Sequence, residues 1–171
     1  MAGTGLMAET GSSSPAGVLA GPGEASDPPV GWPRHWTAQE RLLERQHDRL
    51  ETQLASLLHQ HRPDQPAWDD AQSLNADRRT RRLLWDLRLH LRLEERWLSA
   101  QGCLASSHRQ AHREASGLAL SGFLQSIGDR QARHQWLSQL QSWFNSHRHG
   151  ADAGAYARAT ALNTLQSCTQ S

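Results

Sequence analysis

The chain has 171 residues with a formal net charge of +1, 37% hydrophobic and 20% charged side chains, and a mean hydropathy of −0.71. That length suits one domain with a tail, and the balanced charge gives no overall electrostatic case for nucleic acid or anionic lipid. No apolar run approaches the roughly 18 residues that cross a bilayer, and no basic residue precedes Arg34 to open a secretory signal, so a cytoplasmic protein without membrane partners is expected.

Residues 1–34 hold seven of the 13 glycines and five of the seven prolines, with a serine run at Ser12 to Ser14 and little that could form a core. This composition predicts a disordered arm. After Pro66 no proline occurs, and the interior is rich in Leu, Ala, Arg, Gln and Glu, so an all-α domain is predicted over 35–152, followed by a tail over 153–171. The first helix opens at Thr37 with Glu40 three residues on, a capping-box pattern, and carries the stripe Leu43, His47, Leu50, Leu54, Leu57 until Pro63 and Pro66 break the chain. The second runs from about Asp69 to Gln101, aligning Leu83, Leu87, His90, Glu94 and Trp97, with Gly102 as its stop. Its cluster "DRRTRR", Asp77 to Arg82, reads as a solvated helix face rather than a phosphate-binding patch. A third helix follows a cap at Ser106 or Ser107 and aligns Leu104, His108, His112, Ala115 and Ala119 until Gly128. The fourth starts near Asp129, aligns Trp136, Leu140, Trp143 and His147, and ends at Gly150. Steps of three and four with short connections predict an up-down-up-down four-helix bundle.

Each of the four inward stripes carries histidine, and one also carries a carboxylate, where a simple bundle would use Leu or Ala. An unpaired polar group buried there costs several kcal/mol, so the groups need common partners. Residues four apart share a helix face, which pairs His90 with Glu94 and His108 with His112. On an unbroken helix Asp152 would point roughly 140° away from His147, but Gly150 between them can end the helix in a left-handed conformation and let the carboxylate fold back. The inward set is then His47, His90, Glu94, His108, His112, His147 and Asp152. Five imidazoles and two carboxylates without thiolate suit iron, and manganese or zinc less naturally, in a carboxylate-bridged pair.

This pattern resembles the hemerythrin and bacteriohemerythrin family: a lone His on the first helix, His-x-x-x-Glu on the second, His-x-x-x-His on the third, and His followed five residues later by Asp on the fourth. Neighbouring segments are similar as well: "QHDRL" (46 to 50), "HLRLEERWL" (90 to 98) and "WFNSH" (143 to 147). The resemblance covers about residues 32 to 152. It implies two iron ions with an oxo or hydroxo bridge, one held by His108, His112 and His147, the other by His47 and His90, with Glu94 and Asp152 bridging. It further implies that dioxygen is the partner, bound reversibly where the second iron has one protein ligand fewer, for storage, delivery or sensing rather than catalysis.

Leu91, Trp143, Phe144 and Arg148 are the expected lining of the dioxygen pocket. Three of these neighbourhoods depart from the family: Arg148 stands where Ile is usual, Leu91 where Phe is frequent, and Ala115 where an aromatic is frequent. An inward Arg148 would favour protonation and loss of a reduced oxygen ligand, turning a carrier into a di-iron oxidase or peroxidase, whereas an outward course along the bundle end leaves the pocket apolar. The outward course is expected. An iron-storage or signalling module is a further alternative. His35, His59, His61, His134 and His149 match no family position and are expected at the surface. Trp32 or Trp36 is expected to pack the arm against the bundle, and Trp85, Trp97, Trp136 and Trp143 to lie in the core. Cys103 and Cys168 have no zinc-type spacing and read as free thiols. Nothing in the sequence specifies an oligomeric state.

Overall fold

A computed structural model of the chain describes residues 39–169. The N-terminal arm, the Thr37 cap, His35, Trp32, Trp36 and the side chain of Cys168 lie outside the described residues. Five α-helices follow one another: α1 (Gln39–Gln60), α2 (Asp70–Ala100), α3 (Ser106–Gln125), α4 (Arg130–His147) and α5 (Ala153–Thr169), the last two joined by a π turn (Arg148–Asp152). Among the described residues there is no strand, and no helix is long and apolar enough to cross a membrane.

The helices begin and end for local reasons. Asp69 caps α2 in a reciprocal box, accepting from the Gln72 amide at 2.7 Å while the Gln72 side chain accepts from the Asp69 amide at 3.0 Å. Asp129 caps α4 by accepting from the Ala132 amide. The serine cap expected for α3 is not formed: Ala105 is the N-cap, without a side-chain bond, and Ser106 and Ser107 are exposed. Gly102 and Gly128 turn the chain after α2 and α3 with φ of +66° and +76°, the left-handed region where a Cβ is costly. Gly150 does not do this; it lies inside the π turn, and the helical path runs on into α5.

Each helix packs on its neighbour in sequence from α1 to α4, α4 returns to pack on α1, and α5 packs on α2. One apolar cluster joins Leu50, Leu54, Leu57, Leu87, Leu91, Leu137 and Phe144, and a second joins Leu43, Trp97, Leu98, Ala155, Tyr156 and Ala159. Along α1, His47 falls between Leu43 of the second cluster and Leu50 of the first, and His147 at the end of α4 falls between Phe144 of the first and Ala155 of the second. The residues read as a tail therefore supply part of the core. Cys103 is also buried there, its thiol donating to the Gln101 carbonyl.

At the far end, Arg133 of α4 is buried and donates to the Ser126 hydroxyl, the Phe123 and Ser126 carbonyls and Asp77 of α2. Arg130 donates to the carbonyls of Gln60, Gln65 and Pro66 and lies over the Trp68 ring, tying down the α1–α2 connection. His61, expected at the surface, is buried there instead: its Nδ1–H donates to the Leu57 carbonyl at 2.8 Å and its ring meets Trp68 edge-on. Burial lowers its pKa. Trp85 also differs from expectation. It is 59% exposed, because its place on α2 faces away from the interior.

Gly122 of α3 faces Trp136 of α4, and a Cβ added there would run into the ring of that buried residue. Alanine would gain up to about 1 kcal/mol in helix propensity, but overpacking against a confined indole costs about 1–3 kcal/mol. Gly122→Ala is therefore expected to lower the urea midpoint. A midpoint equal to or above wild type would refute this account of the α3–α4 contact.

Candidate metal centre

The i, i+4 spacing does locally what the sequence requires. His90 and Glu94 turn inward from α2, His108 and His112 from α3, and His47 enters from α1; all five are buried, as are His147 and Asp152. Asp152 arrives by a route the sequence reading did not foresee. A π turn closes i→i+5 bonds in place of i→i+4, so a residue five positions on comes round toward the starting face instead of roughly 140° away from it. The carboxylate consequently sits 3.0 Å from the Nε2 of His147.

Two groups of donor atoms result, each with its members within 4.8 Å of one another: Glu94, His108, His112, His147 and Asp152 in one, and His47, His90, Glu94 and Asp152 in the other. All seven residues singled out in the sequence are brought together, and both carboxylates belong to both groups. Asp152 Oδ2 is 3.2 Å from His47 Nε2, and Oδ1 is 3.3 Å from His108 Nε2. Glu94 Oε2 is 3.4 Å from His112 Nε2 and 3.8 Å from His90 Nε2. The Nε2 atoms of His112 and His147 face each other at 2.8 Å.

Outer partners select which nitrogen faces inward. His90 Nδ1–H donates to Gln46 Oε1 and His112 Nδ1–H to Glu95 Oε1, each at 3.1 Å, which leaves the Nε2 lone pairs of both rings directed at the centre. Glu44 Oε1 stands 3.5 Å from His47 Nδ1. The inner atoms are poorly satisfied by the chain itself. His47 Nε2, His90 Nε2, His108 Nε2 and all four oxygens of Glu94 and Asp152 are buried without a well-formed hydrogen bond. So many convergent nitrogen and carboxylate donors, buried and unsatisfied, fit a cation shared among them. The cluster could hold a metal ion.

Burial opposes charge on His108, but the carboxylates of Asp152 and Glu94 outweigh it and raise the imidazole to about 9. Burial likewise acts to raise both carboxyls, and the imidazoles of His108 and His147 beside Asp152, and of His108 and His112 beside Glu94, hold them below their ordinary values. His90 goes the other way, lowered to about 4 by burial and by His47 next to it.

The expected pocket residues divide. Phe144 is buried with its ring 5.7 Å from His47 and 6.4 Å from His90, on the two-histidine side. Leu91 is buried in the neighbouring apolar cluster. Trp143 is only partly buried and stacks on His147 at 4.8 Å, on the three-histidine side. Arg148 turns outward onto α1, where it pairs with Glu44, Asp48 and Glu51 at 2.8–2.9 Å. Although partial burial works against its charge, these three carboxylates raise its pKa further. Among the other described histidines, His59 and His149 are exposed and His134 is half-buried, and none of them belongs to either donor group.

One participant was missed. Tyr156 of α5 is buried, stacks on His47 at 6.1 Å and meets Trp97 edge-on at 4.9 Å. Burial, then the charges of Glu94 and Asp152, push its phenol far up, so it stays protonated beside the cluster. Its place four residues after Asp152 was a legible signal only if the helix continues past Gly150. Comparison of the chain with family models, curated proteins and solved structures finds no match in any of the three.

Proposed function

We propose that the chain is a hemerythrin-like non-haem di-iron protein, an up-down-up-down bundle that binds dioxygen reversibly. The observation that carries this reading is the pair of buried donor groups that share Glu94 and Asp152 and divide the histidines three to two. His108, His112 and His147 would hold one iron and His47 and His90 the other, with Glu94 and Asp152, which belong to both groups, available to each. A thiolate-free set of imidazole and carboxylate donors suits iron. When bound, the iron pair would supply two electrons to dioxygen and recover them on release.

The chain's own part is to orient and to exclude. Gln46 and Glu95 hold their imidazoles in the ligating tautomer, and Phe144 and Tyr156 cover the His47 ring so that water has little access to the two-histidine side. Ion-pairing with Glu44, Asp48 and Glu51 holds the Arg148 cation on the outer face of α1, with the Glu44 carboxylate between it and His47, which favours carriage over turnover. Loading would displace the proton on His108. A second reading, a di-iron oxidase or peroxidase, draws support from the Tyr156 phenol, a protonated donor next to Glu94.

Protein loaded anaerobically with ferrous iron is expected to bind two irons per chain, one for each donor group, to develop a visible charge-transfer band in air and to lose it under vacuum. A band that persists under vacuum rejects carriage. Continuous dioxygen consumption with a reductant would instead establish the second reading.

A further inference from the structure

Outside the metal centre, the seam between α2 and α3 holds two adjoining hollows. One, of about 350 Å³, is lined by Arg81, Trp85, Arg88, Leu89, Leu120 and Phe123. The other, of about 280 Å³, shares Arg88 and Arg92 with the first and continues to Arg113, Glu95 and His112. On α2 the residues Arg81, Trp85, Arg88 and Arg92 follow steps of four, three and four, which places them in one row along a helix face. Large apolar side chains stand uncovered in this row and opposite it: Trp85 is 59% exposed, Leu120 47% and Leu89 36%.

Charge completes the description. Among the described residues no carboxylate forms an ion pair with Arg81, Arg88, Arg92 or Arg113, whereas Arg49, Arg82 and Arg148 elsewhere on the surface are paired. Arg81 rests over the Phe123 ring and Arg113 bonds only to the neutral Gln110. The one acidic group in the groove, Glu95, is engaged with His112 Nδ1. The chain as a whole is nearly neutral, so this row is a local concentration of unmatched positive charge around an apolar floor.

We propose that the α2–α3 groove docks an acidic amphipathic helix of a partner protein. Apolar side chains of the partner would cover Trp85, Leu89 and Leu120, and its carboxylates would meet the four guanidiniums, a complementarity that steers encounter and fixes register. A second copy of this chain would set the same four arginines against themselves in a two-fold contact. The proposal does not depend on which metal the centre holds. Because the groove ends on Glu95 and His112, the occupant would lie one side chain from the cluster.

The test uses the full chain and a fluorescein-labelled helical peptide with Leu at i, i+3, i+4 spacing and Glu elsewhere, read by anisotropy, with the Leu and Lys counterpart as control. Saturable binding of the Glu peptide alone is expected. It should weaken about ten-fold in Trp85→Ala and again in Arg88→Ser with Arg92→Ser, which is the size of a central anchor residue. Arg45→Ser, an exposed arginine on α1, should bind as wild type. Equal weakening by Arg45→Ser, or none by Trp85→Ala, would reduce the effect to diffuse charge and overturn the proposal. So would tighter binding of polyuridylate or phosphatidylserine vesicles through the same residues, or a dimer in sedimentation that Trp85→Ala dissociates.

Discussion

Glu94→Ala is expected to abolish stable metal binding in both halves of the centre, taking the iron content of loaded, chelator-washed protein from about two per chain to near zero. The expectation follows from the position of its carboxylate, which belongs to both donor groups and lies within 3.8 Å of both His90 and His112. Loss of an outer partner costs 10- to 100-fold in metal affinity, and loss of a shared inner ligand costs more. His90→Ala is the internal control. His90 belongs to the two-histidine group alone, so about one iron should remain. Metal analysis, with the melting temperature measured before and after loading, separates loss of the site from loss of the fold: the variant should melt cooperatively yet gain no stability from metal. Retention of two irons by Glu94→Ala would remove the shared carboxylate from the account, and equal losses in the two variants would remove the division into halves.

Arg133→Ala should destabilise the fold by about 3–5 kcal/mol, the scale for breaking a buried charged pair and the hydrogen bonds that accompany it. The guanidinium bonds the Ser126 hydroxyl at 2.7 Å, the carbonyls of Phe123 and Ser126, and Asp77, and its charge lies 4.5 Å over the Phe123 ring. Asp77 is 35% exposed, so water recovers part of the ion pair. The larger loss is at the end of α3, where the buried Ser126 hydroxyl loses its guanidinium partner and the Phe123 and Ser126 carbonyls each lose one of two donors, keeping the Ser126 hydroxyl and the Asp129 amide respectively. Lysine should not restore stability, since an ammonium cannot serve these acceptors from one plane. Equilibrium urea unfolding measures the difference, and a change below about 1 kcal/mol would show that the α3–α4 turn holds without this residue.

Much of the centre was legible because helical spacing is a strong constraint. Once α2 and α3 are helices, His90 with Glu94 and His108 with His112 must share faces, and the apolar residues in register with them say which faces are buried. His47 fell on the α1 stripe by the same periodicity, but Asp152 was joined to His147 only by supposing a chain reversal at Gly150, because the spacing within one helix points the wrong way; the resemblance to hemerythrins then implied how the set divides between two irons. What failed did so at departures from the regular helix. Gly150 read as a terminator because glycine favours helix ends, yet nothing in "RHGADAG" distinguishes an end from a π turn; the choice depends on whether Ala155, Tyr156 and Ala159 find an apolar surface to cover. They do, on Leu43, Trp97 and Leu98. Ser106 and Ser107 likewise have the right chemistry for a cap, but the helix begins one residue too early to use it.

The helices α1 to α4, their inward stripes and the identity of the seven clustered side chains were legible in residue order, since periodicity and propensity act over one or two turns; α5 was not. Tertiary packing decided the convergence of four helices on shared carboxylates, the π turn that aims Asp152, the covering Tyr156 and the outward Arg148. It also decided the burial of His61 and the exposure of Trp85. Each of these depends on which surfaces meet, a free energy summed over residues distant in sequence, and no local pattern encodes that sum.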